Sequence, residues 1–259
     1  MSQKTVNWYK YAAPASFYPL AGKMIPWFTA ITVVLFIVGF YVGFFVAPTD
    51  FQQGQSYRII FIHVPAAWIG MFLYVLMAIY AGIGWAFNAR LASMMATAIS
   101  TTGAIFTLIS LVTGSLWGRP AWGVWWVWDA RMTSTLILMF LYIGFISLQS
   151  SIDDPRRADR AGAVLALVGL INVPIIYFSV RWWSTLHQGA SIRIASKPTI
   201  APTMLAAMLI FLAACWMYSI AVVLTRLRYI IQEREREAPW LSAEPVVKSP
   251  TAELGSWIS

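Results

Sequence analysis

Six apolar runs, separated by polar stretches, follow one another along most of the chain. A hydrocarbon core of about 30 Å needs a helix of about 17–25 residues, and each run is at least that long. The pattern therefore predicts six transmembrane helices joined by polar connections. The predicted spans are 26–46, 59–87, 94–116, 132–148, 161–180 and 200–224.

The composition favours a membrane protein over a soluble domain. Of the 259 residues, 59% are hydrophobic and 11% are charged, and the mean hydropathy is +0.69, whereas a soluble domain carries about 25% charged residues. We therefore expect an all-α integral membrane protein, in which residues 25–225 form one six-helix bundle. Residues 1–24 are expected in the cytoplasm or at the membrane interface, and residues 226–259 are expected to form a cytoplasmic tail.

Two local features modify this bundle. Pro174 lies late in the fifth run and is expected to kink that helix. The mixed run 233–237, Glu-Arg-Glu-Arg-Glu, is typical of a solvated helical extension, and docking of a partner is the alternative.

Lysine and arginine are unevenly divided between the two sides of the predicted bundle. Both termini share a side that carries twelve of these residues, against six on the other side. Because such residues accumulate in cytoplasmic loops, the termini are expected in the cytoplasm. The net charge of +8 suits this asymmetry and anionic lipid better than nucleic acid. The richer side holds Lys4, Lys10, Lys23, Arg90, Arg156, Arg157, Arg160, Arg226, Arg228, Arg234, Arg236 and Lys248, and the other side holds Arg58, Arg119, Arg131, Arg181, Arg193 and Lys197.

The connection between the third and fourth runs is rich in tryptophan. Residues 117–129 contain five of the chain's 14 tryptophans, and the loop is predicted to cover 117–131. An ordinary interfacial belt places one or two tryptophans at each helix end. Five in one connection favour a flat, stiff aromatic surface for a large planar ligand, with a dense belt as the alternative. These residues are Trp117, Trp122, Trp125, Trp126 and Trp128.

Both histidines of the chain lie in or beside connections on the same side as the tryptophan-rich loop. His63 is near the start of the second run, and His187 follows the fifth. Two neutral imidazoles from different elements can bind an iron from opposite faces of a porphyrin. A single histidine at a helix end is more often an interfacial residue or a cap, and this alternative stays open. With these two histidines and one cysteine, Cys215, a tetrahedral zinc site would lack ligands.

Charged residues beside these elements have predicted roles in the same site. Arg58 lies near His63, and Arg119 and Arg131 flank the tryptophans, so they could pair with the carboxylates of a porphyrin. An arginine at a helix end more usually extends to lipid headgroups. Asp129 is expected to accept a structural hydrogen bond, to pair with Arg131, or to orient a histidine ligand.

The same residues carry a resemblance to a known family. The sequence WGRPAWGVWWVWDAR at 117–131 resembles the signature of the WWD haem-handling proteins, and the chain as a whole resembles the CcmC haem exporter family of bacterial cytochrome c maturation. Further matching stretches are QQGQSYRII at 52–60, HVPAA at 63–67 and WWSTLHQG at 182–189. The resemblance covers roughly residues 20–235.

The resemblance implies a fold, a site and partners. It implies six transmembrane helices in the bacterial inner membrane, with both termini cytoplasmic and the tryptophan-rich loop periplasmic. It implies that His63 and His187 are the axial ligands of haem b, which is cargo, and that the tryptophan loop is its platform. The implied partners are the haem chaperone CcmE, which binds haem covalently through its own histidine, and the subunits CcmA, CcmB and CcmD.

These observations predict a haem-handling subunit that binds haem and delivers it to CcmE, without enzymatic turnover of its own. The sequence has no Gly-rich nucleotide-binding motif, so ATP would have to act through a partner. Two alternatives remain open. One is a WWD-type cytochrome c haem lyase, and the other is a non-haem transporter of quinone or another small molecule.

Overall fold

The computed structural model describes residues 11–187 and 200–242, which form helices and short connections without a β-strand. Predicted positions at Lys4, Lys10, Arg193, Lys197 and Lys248, and the end of the matching stretch at 188–189, lie outside the described residues. The helices are α1 (Pro14–Tyr41), α2 (Ile60–Phe87), α3 (Arg90–Trp122), α4 (Ala130–Ser151), α5 (Pro155–Gly169), α6 (Asn172–Trp182), α7 (Pro202–Arg234) and the short α8 (Pro239–Ser242).

Six helical segments of the described chain are long and apolar enough to cross a membrane. A π-helical turn, Val42–Val46, extends α1, and a 3₁₀ turn, Gln55–Ile59, leads into α2. Helices α5 and α6 together form one segment, Pro155–Trp182. The prediction of an all-α protein with six spans is confirmed.

Helices α1 and α7 extend furthest beyond their predicted spans. Helix α1 begins at Pro14 rather than near residue 26, because Tyr18 and Ala21 are buried and give this first part a packing face. Helix α7 continues to Arg234 rather than ending near residue 224. Its last turn is held to the bundle, since the Arg234 guanidinium lies 2.9 Å from the Asp159 carboxylate. The first residues of the charged run 233–237 therefore belong to the end of α7, which is packed against the bundle.

The fifth span is broken rather than smoothly kinked. Helix α5 ends at Gly169 and α6 begins at Asn172, so the break lies just before Pro174. A proline ring opposes the carbonyl group four residues earlier, which here is that of Leu170. The side-chain amide of Asn172 donates to the Ser134 carbonyl group at 2.8 Å and thereby ties the break to α4.

Helix α2 packs along α3, and α1 packs mainly on α7. Glycines on α2 allow its close approach to α3. A Cβ atom at Gly70 would lie 2.8 Å from the Thr107 hydroxyl oxygen, and one at Gly84 would lie 2.3 Å from that of Ser93. These contacts fix the rotation of α2 about its own axis, so they decide which of its side chains face α3.

The connections of the bundle fall at two opposite ends. The α2–α3 and α4–α5 connections lie at one end, together with the ion pair between Arg90 and Glu235. The other end carries the connection 47–54, the connection 123–129 and the segment that follows α6. Both histidines belong to this second end.

Candidate functional site

His63 lies in the first turns of α2, and its side chain is 9% exposed. Its imidazole Nδ1 is 3.1 Å from the Thr113 hydroxyl oxygen on α3. The Cε1 edge of the ring also packs against Gly114, where an added Cβ atom would lie 3.0 Å from the His63 Cε1 atom. Helix α3 therefore holds this imidazole through the polar contact of Thr113, an interaction with the Ser110 backbone, and close packing on Gly114.

His187 reaches the same place from a different element. Helix α6 ends at Trp182, and Trp183 continues in an extended conformation. The backbone N–H group of His187 donates to the Thr185 hydroxyl oxygen at 3.1 Å. The ring centroids of His63 and His187 are 6.3 Å apart, and the ring planes are inclined at 41°. The structure thus brings together two histidines that are far apart in the sequence.

The environment of His187 keeps its imidazole neutral. Burial lowers the pKa of His187 to about 3, with smaller contributions in the same direction from the positive charge of Arg131 and from His63. Its Nδ1 atom is buried and has no hydrogen-bond partner among the described residues. A neutral imidazole is the form that binds a metal.

A cleft between α2, α3, α4 and α6 opens beside the two histidines and contains about 520 Å³ of empty space, including its mouth. Arg131 brings a positive charge to its wall, and Thr107, Ser110 and Thr135 bring hydroxyl groups. The rest of the wall is apolar or glycine. The lining residues are His63, Ala67, Met71, Thr107, Ser110, Leu111, Gly114, Arg131, Met132, Thr135, Leu138, Ile176 and His187.

The predicted loop at 117–131 is shorter than expected. Helix α3 runs through Trp122 and ends at Gly123, whose φ of +80° suits glycine. Helix α4 begins at Ala130, so the connection covers 123–129. The expectation of a 15-residue loop was wrong, because the tryptophans at 117 and 122 continue the helical packing of α3.

Two tryptophans contact the histidines. The indole of Trp117 lies edge-on to His63 with ring centroids 5.7 Å apart, and its N–H group donates to the Gln53 side-chain oxygen at 2.7 Å. Trp122 lies 5.2 Å from His187 between ring centroids. Both indoles therefore pack against the imidazole pair.

The other three tryptophans lie in the connection. Trp125 is 54% exposed and Trp128 is 75% exposed. The rings of Trp126 and Trp128 are 5.5 Å apart and nearly perpendicular, at 73°. The five rings thus do not form the single flat surface expected from the sequence. They form two sets. Trp117 and Trp122 pack against the histidines, and the other three lie in the connection, where Trp125 and Trp128 are exposed and Trp126 is half-buried.

Asp129 is the N-cap of α4, where its carboxylate accepts a hydrogen bond from the Met132 N–H group at 2.8 Å. The expectation of a structural hydrogen bond is therefore confirmed. In the described structure the imidazole Nδ1 of His63 is hydrogen-bonded to the Thr113 hydroxyl group and not to Asp129, so Asp129 does not orient this histidine.

The predicted arginines separate into different roles. The Arg58 guanidinium donates to the carbonyl groups of Gly43 and Ala47, and so closes the end of the first span. It lines a different groove, beside Phe44 and Pro120. Arg119 donates to the Gly123 carbonyl group at the end of α3. Among the arginines of the described chain, the one that lines the histidine cleft is Arg131.

Sequence reasoning missed the contribution of α3 to the site. Thr113 and Gly114 lie about one helical turn before Trp117, so the 3.6-residue period places them near its face. No local pattern indicates that this face meets His63, because that contact depends on how α2 and α3 pack.

Comparison with known proteins shows the family of this chain. The profile of the family described as "CcmC: Heme exporter protein C" matches residues 7–242. The chain belongs to the CcmC family. It is 44% identical over 234 residues to Heme exporter protein C of Escherichia coli strain K12, covering 90% of this chain and 94% of that protein.

Other relatives extend the likeness. Heme exporter protein C of Haemophilus influenzae is 42% identical over 90% of this chain and 95% of its own length. A ccmC-like mitochondrial protein of Marchantia polymorpha, named for cytochrome c biosynthesis, is 49% identical over 59% of this chain and 64% of its own length. The recognition of this family from the tryptophan and histidine segments is confirmed.

Proposed function

We propose that this chain binds haem b as cargo between His63 and His187, at the periplasmic face of the inner membrane. It then delivers the haem to the chaperone CcmE, as a subunit of a complex with CcmA, CcmB and CcmD. The names of its relatives, which refer to heme export and cytochrome c biosynthesis, support this role.

The separation of the two imidazoles is the observation that carries the proposal. A histidine nitrogen binds a metal at about 2 Å and lies about 1 Å from its ring centroid, so two ligands on opposite sides of one iron have centroids about 6 Å apart. The observed 6.3 Å agrees with this distance. The unpartnered Nδ1 of His187 and the neutral state of its ring also suit ligation.

The surroundings fit the rest of a porphyrin. Trp117 and Trp122 offer apolar ring surface next to the imidazoles. Arg131 lines the cleft, where its charge interacts with the Asp129 carboxylate, and it donates no hydrogen bond within the described part of the chain. Its N–H groups can therefore donate to a propionate. Arg58 is already used by backbone carbonyl groups and is a weaker candidate for this pairing.

The exposed tryptophans suit contact with a protein that receives the haem. Trp125 and Trp128 have large apolar rings at the surface, directly beside the segment that packs on His187. Aromatic residues are enriched where proteins bind one another. We assign these two rings to the contact with CcmE, and Trp117 and Trp122 to the haem itself.

The proposed function is tested by spectroscopy of the purified full-length protein with added haem. Ligation by two histidines predicts a low-spin ferric haem with a sharp Soret band, which changes in both His63→Ala and His187→Ala. Trp85→Ala, an exposed tryptophan on α2 outside the site, is the matched control and keeps the spectrum of the natural protein. A colourless protein would favour the quinone or small-molecule transporter. Attachment of haem to an apocytochrome without CcmE would favour the lyase.

A further inference from the structure

His63 and His187 are held by very different contacts. The imidazole of His63 is fixed by Thr113, Gly114 and Trp117, which all belong to α3. The imidazole of His187 packs on Trp122, and its Nδ1 has no hydrogen-bond partner in the described structure. If the two rings bind one iron, they are not equivalent ligands.

The hydrogen bonds of Thr113 determine which nitrogen of His63 is free. The Thr113 hydroxyl oxygen lies 2.6 Å from the Ile109 carbonyl oxygen, one turn earlier on α3. A hydroxyl group has one hydrogen, which this carbonyl group accepts, so the same oxygen can only accept from His63. The His63 Nδ1 atom must then carry the proton, and the lone pair is left on Nε2.

We propose that Thr113 is a positioning residue that fixes His63 as the stronger, Nε2 ligand of the haem iron, and that His187 is the ligand that leaves first during transfer. This inference rests on the proposed function. In the transfer step the iron–nitrogen bond to His187 breaks, and its electron pair stays on the neutral imidazole. A nitrogen lone pair of the acceptor then occupies the vacated position. The iron–nitrogen bond to His63 breaks last, its electron pair stays on that imidazole, and the haem leaves with the acceptor, so the transfer needs no oxidant or reductant.

The physical basis is the difference in restraint. When the ring nitrogen that does not bind the metal donates a hydrogen bond, the tautomer and ring orientation are fixed and the ring becomes a stronger ligand. Loss of this hydrogen bond lowers metal affinity about 10–100-fold. His63 donates such a bond to Thr113 on α3 and has little room to turn, since Gly114 lies against its Cε1 edge. His187 lies outside the helices and has no equivalent bond to this nitrogen among the described residues.

The first test compares Thr113→Val with Thr113→Ser in the full-length protein loaded with haem. The valine variant loses the acceptor for His63, so the rate of haem loss to excess apomyoglobin should rise about tenfold. The low-spin ferric EPR g values should shift as well, because the ligand becomes a weaker donor. The serine variant keeps a hydroxyl group and should restore both. Thr225→Val, which loses the same type of bond to a carbonyl group four residues earlier on α7, should change neither.

The second test compares the two histidines directly. His187→Ala should retain haem on His63 as a high-spin species that returns to low spin when imidazole is added. His63→Ala should bind haem at least about tenfold more weakly than His187→Ala, because it loses the better-held ligand. Equal losses of haem affinity in the two histidine variants, or a larger loss in His187→Ala, would overturn the inference. Unchanged haem release and g values in Thr113→Val would also overturn it. Absence of a two-histidine spectrum in the natural protein would instead contradict the proposed function itself.

Discussion

The indole of Trp122 lies against the imidazole of His187, with ring centroids 5.2 Å apart and planes inclined at 58°. Trp122 is the last residue of α3, so the helix that holds His63 also reaches the second histidine. The imidazoles of His63 and His187 thus both pack on α3, although the two histidines are distant in the sequence.

Replacement of Trp122 should weaken haem binding. An aromatic contact of this kind contributes about 0.5–1.5 kcal/mol, so we expect Trp122→Ala to lower haem affinity about 2–10-fold in a spectroscopic titration. Trp125→Ala is the matched control, since this ring is 54% exposed. It should bind haem as the natural protein does but transfer it more slowly to CcmE. Equal effects of both variants on affinity would contradict the division into two sets of tryptophans.

The two arginines should respond differently to substitution. Arg131→Gln should weaken haem binding about tenfold, because the charge that faces a propionate is removed while the helix end is kept. Arg58→Gln should leave haem affinity nearly unchanged and reduce stability by about 1–3 kcal/mol, because the carbonyl groups of Gly43 and Ala47 lose their donor. Haem titration and thermal unfolding of the haem-free protein measure the two effects. If Arg58→Gln lowered haem affinity and Arg131→Gln did not, Arg58 rather than Arg131 would be the propionate partner.

A methyl group at position 114 should disturb His63. The Cβ atom of Gly114→Ala would lie 3.0 Å from the His63 Cε1 atom, so the imidazole would have to move by a few tenths of an ångström. We expect about tenfold weaker haem binding and an altered low-spin EPR signal. Gly82→Ala on α2 is the control, because its nearest neighbour would be 3.4 Å away, in ordinary contact. A normal signal in Gly114→Ala would show that the ring has more freedom than its packing indicates.

The ion pair at the opposite end should stabilise the fold without affecting the site. Asp159 and Arg234 are each less than one-fifth exposed, and several hydrogen bonds join them. Asp159→Asn should lower the stability by about 1–3 kcal/mol, as expected for hydrogen bonds to charged groups. The Soret spectrum with bound haem should not change. Asp153→Asn, an exposed residue in the α4–α5 connection that precedes the helix of Asp159, should have little effect on unfolding. A similar destabilisation in this variant would argue against the ion pair as the cause.

Much of the fold could be predicted because it depends on local properties. The length of each apolar run sets the number of spans, and alternation of the spans assigns His63, His187 and the tryptophans to one end. The helix ends were less predictable. Pro14 begins a helix and Arg234 ends one because of contacts with distant residues, which the local pattern does not contain.

The choice between Arg58 and Arg131 could not be made from the sequence. Both lie beside a predicted site segment and carry the same charge. Arg58 turns to the carbonyl groups of Gly43 and Ala47, whereas Arg131 faces the cleft. The difference arises from which surface of each helix is packed, and hydropathy does not determine that surface.

The six spans, the common end of the two histidines and the family can be read from the amino-acid order alone, because they follow from run lengths, span order and a distinctive tryptophan pattern. The contact between Thr113 and His63 depends on helix packing. His63, Gly70 and Gly84 are spaced by multiples of seven residues on α2, and the glycines let α3 approach at Thr107 and Ser93. This close packing sets the rotation of both helices, and that rotation selects Thr113 and Gly114 as the support of the histidine.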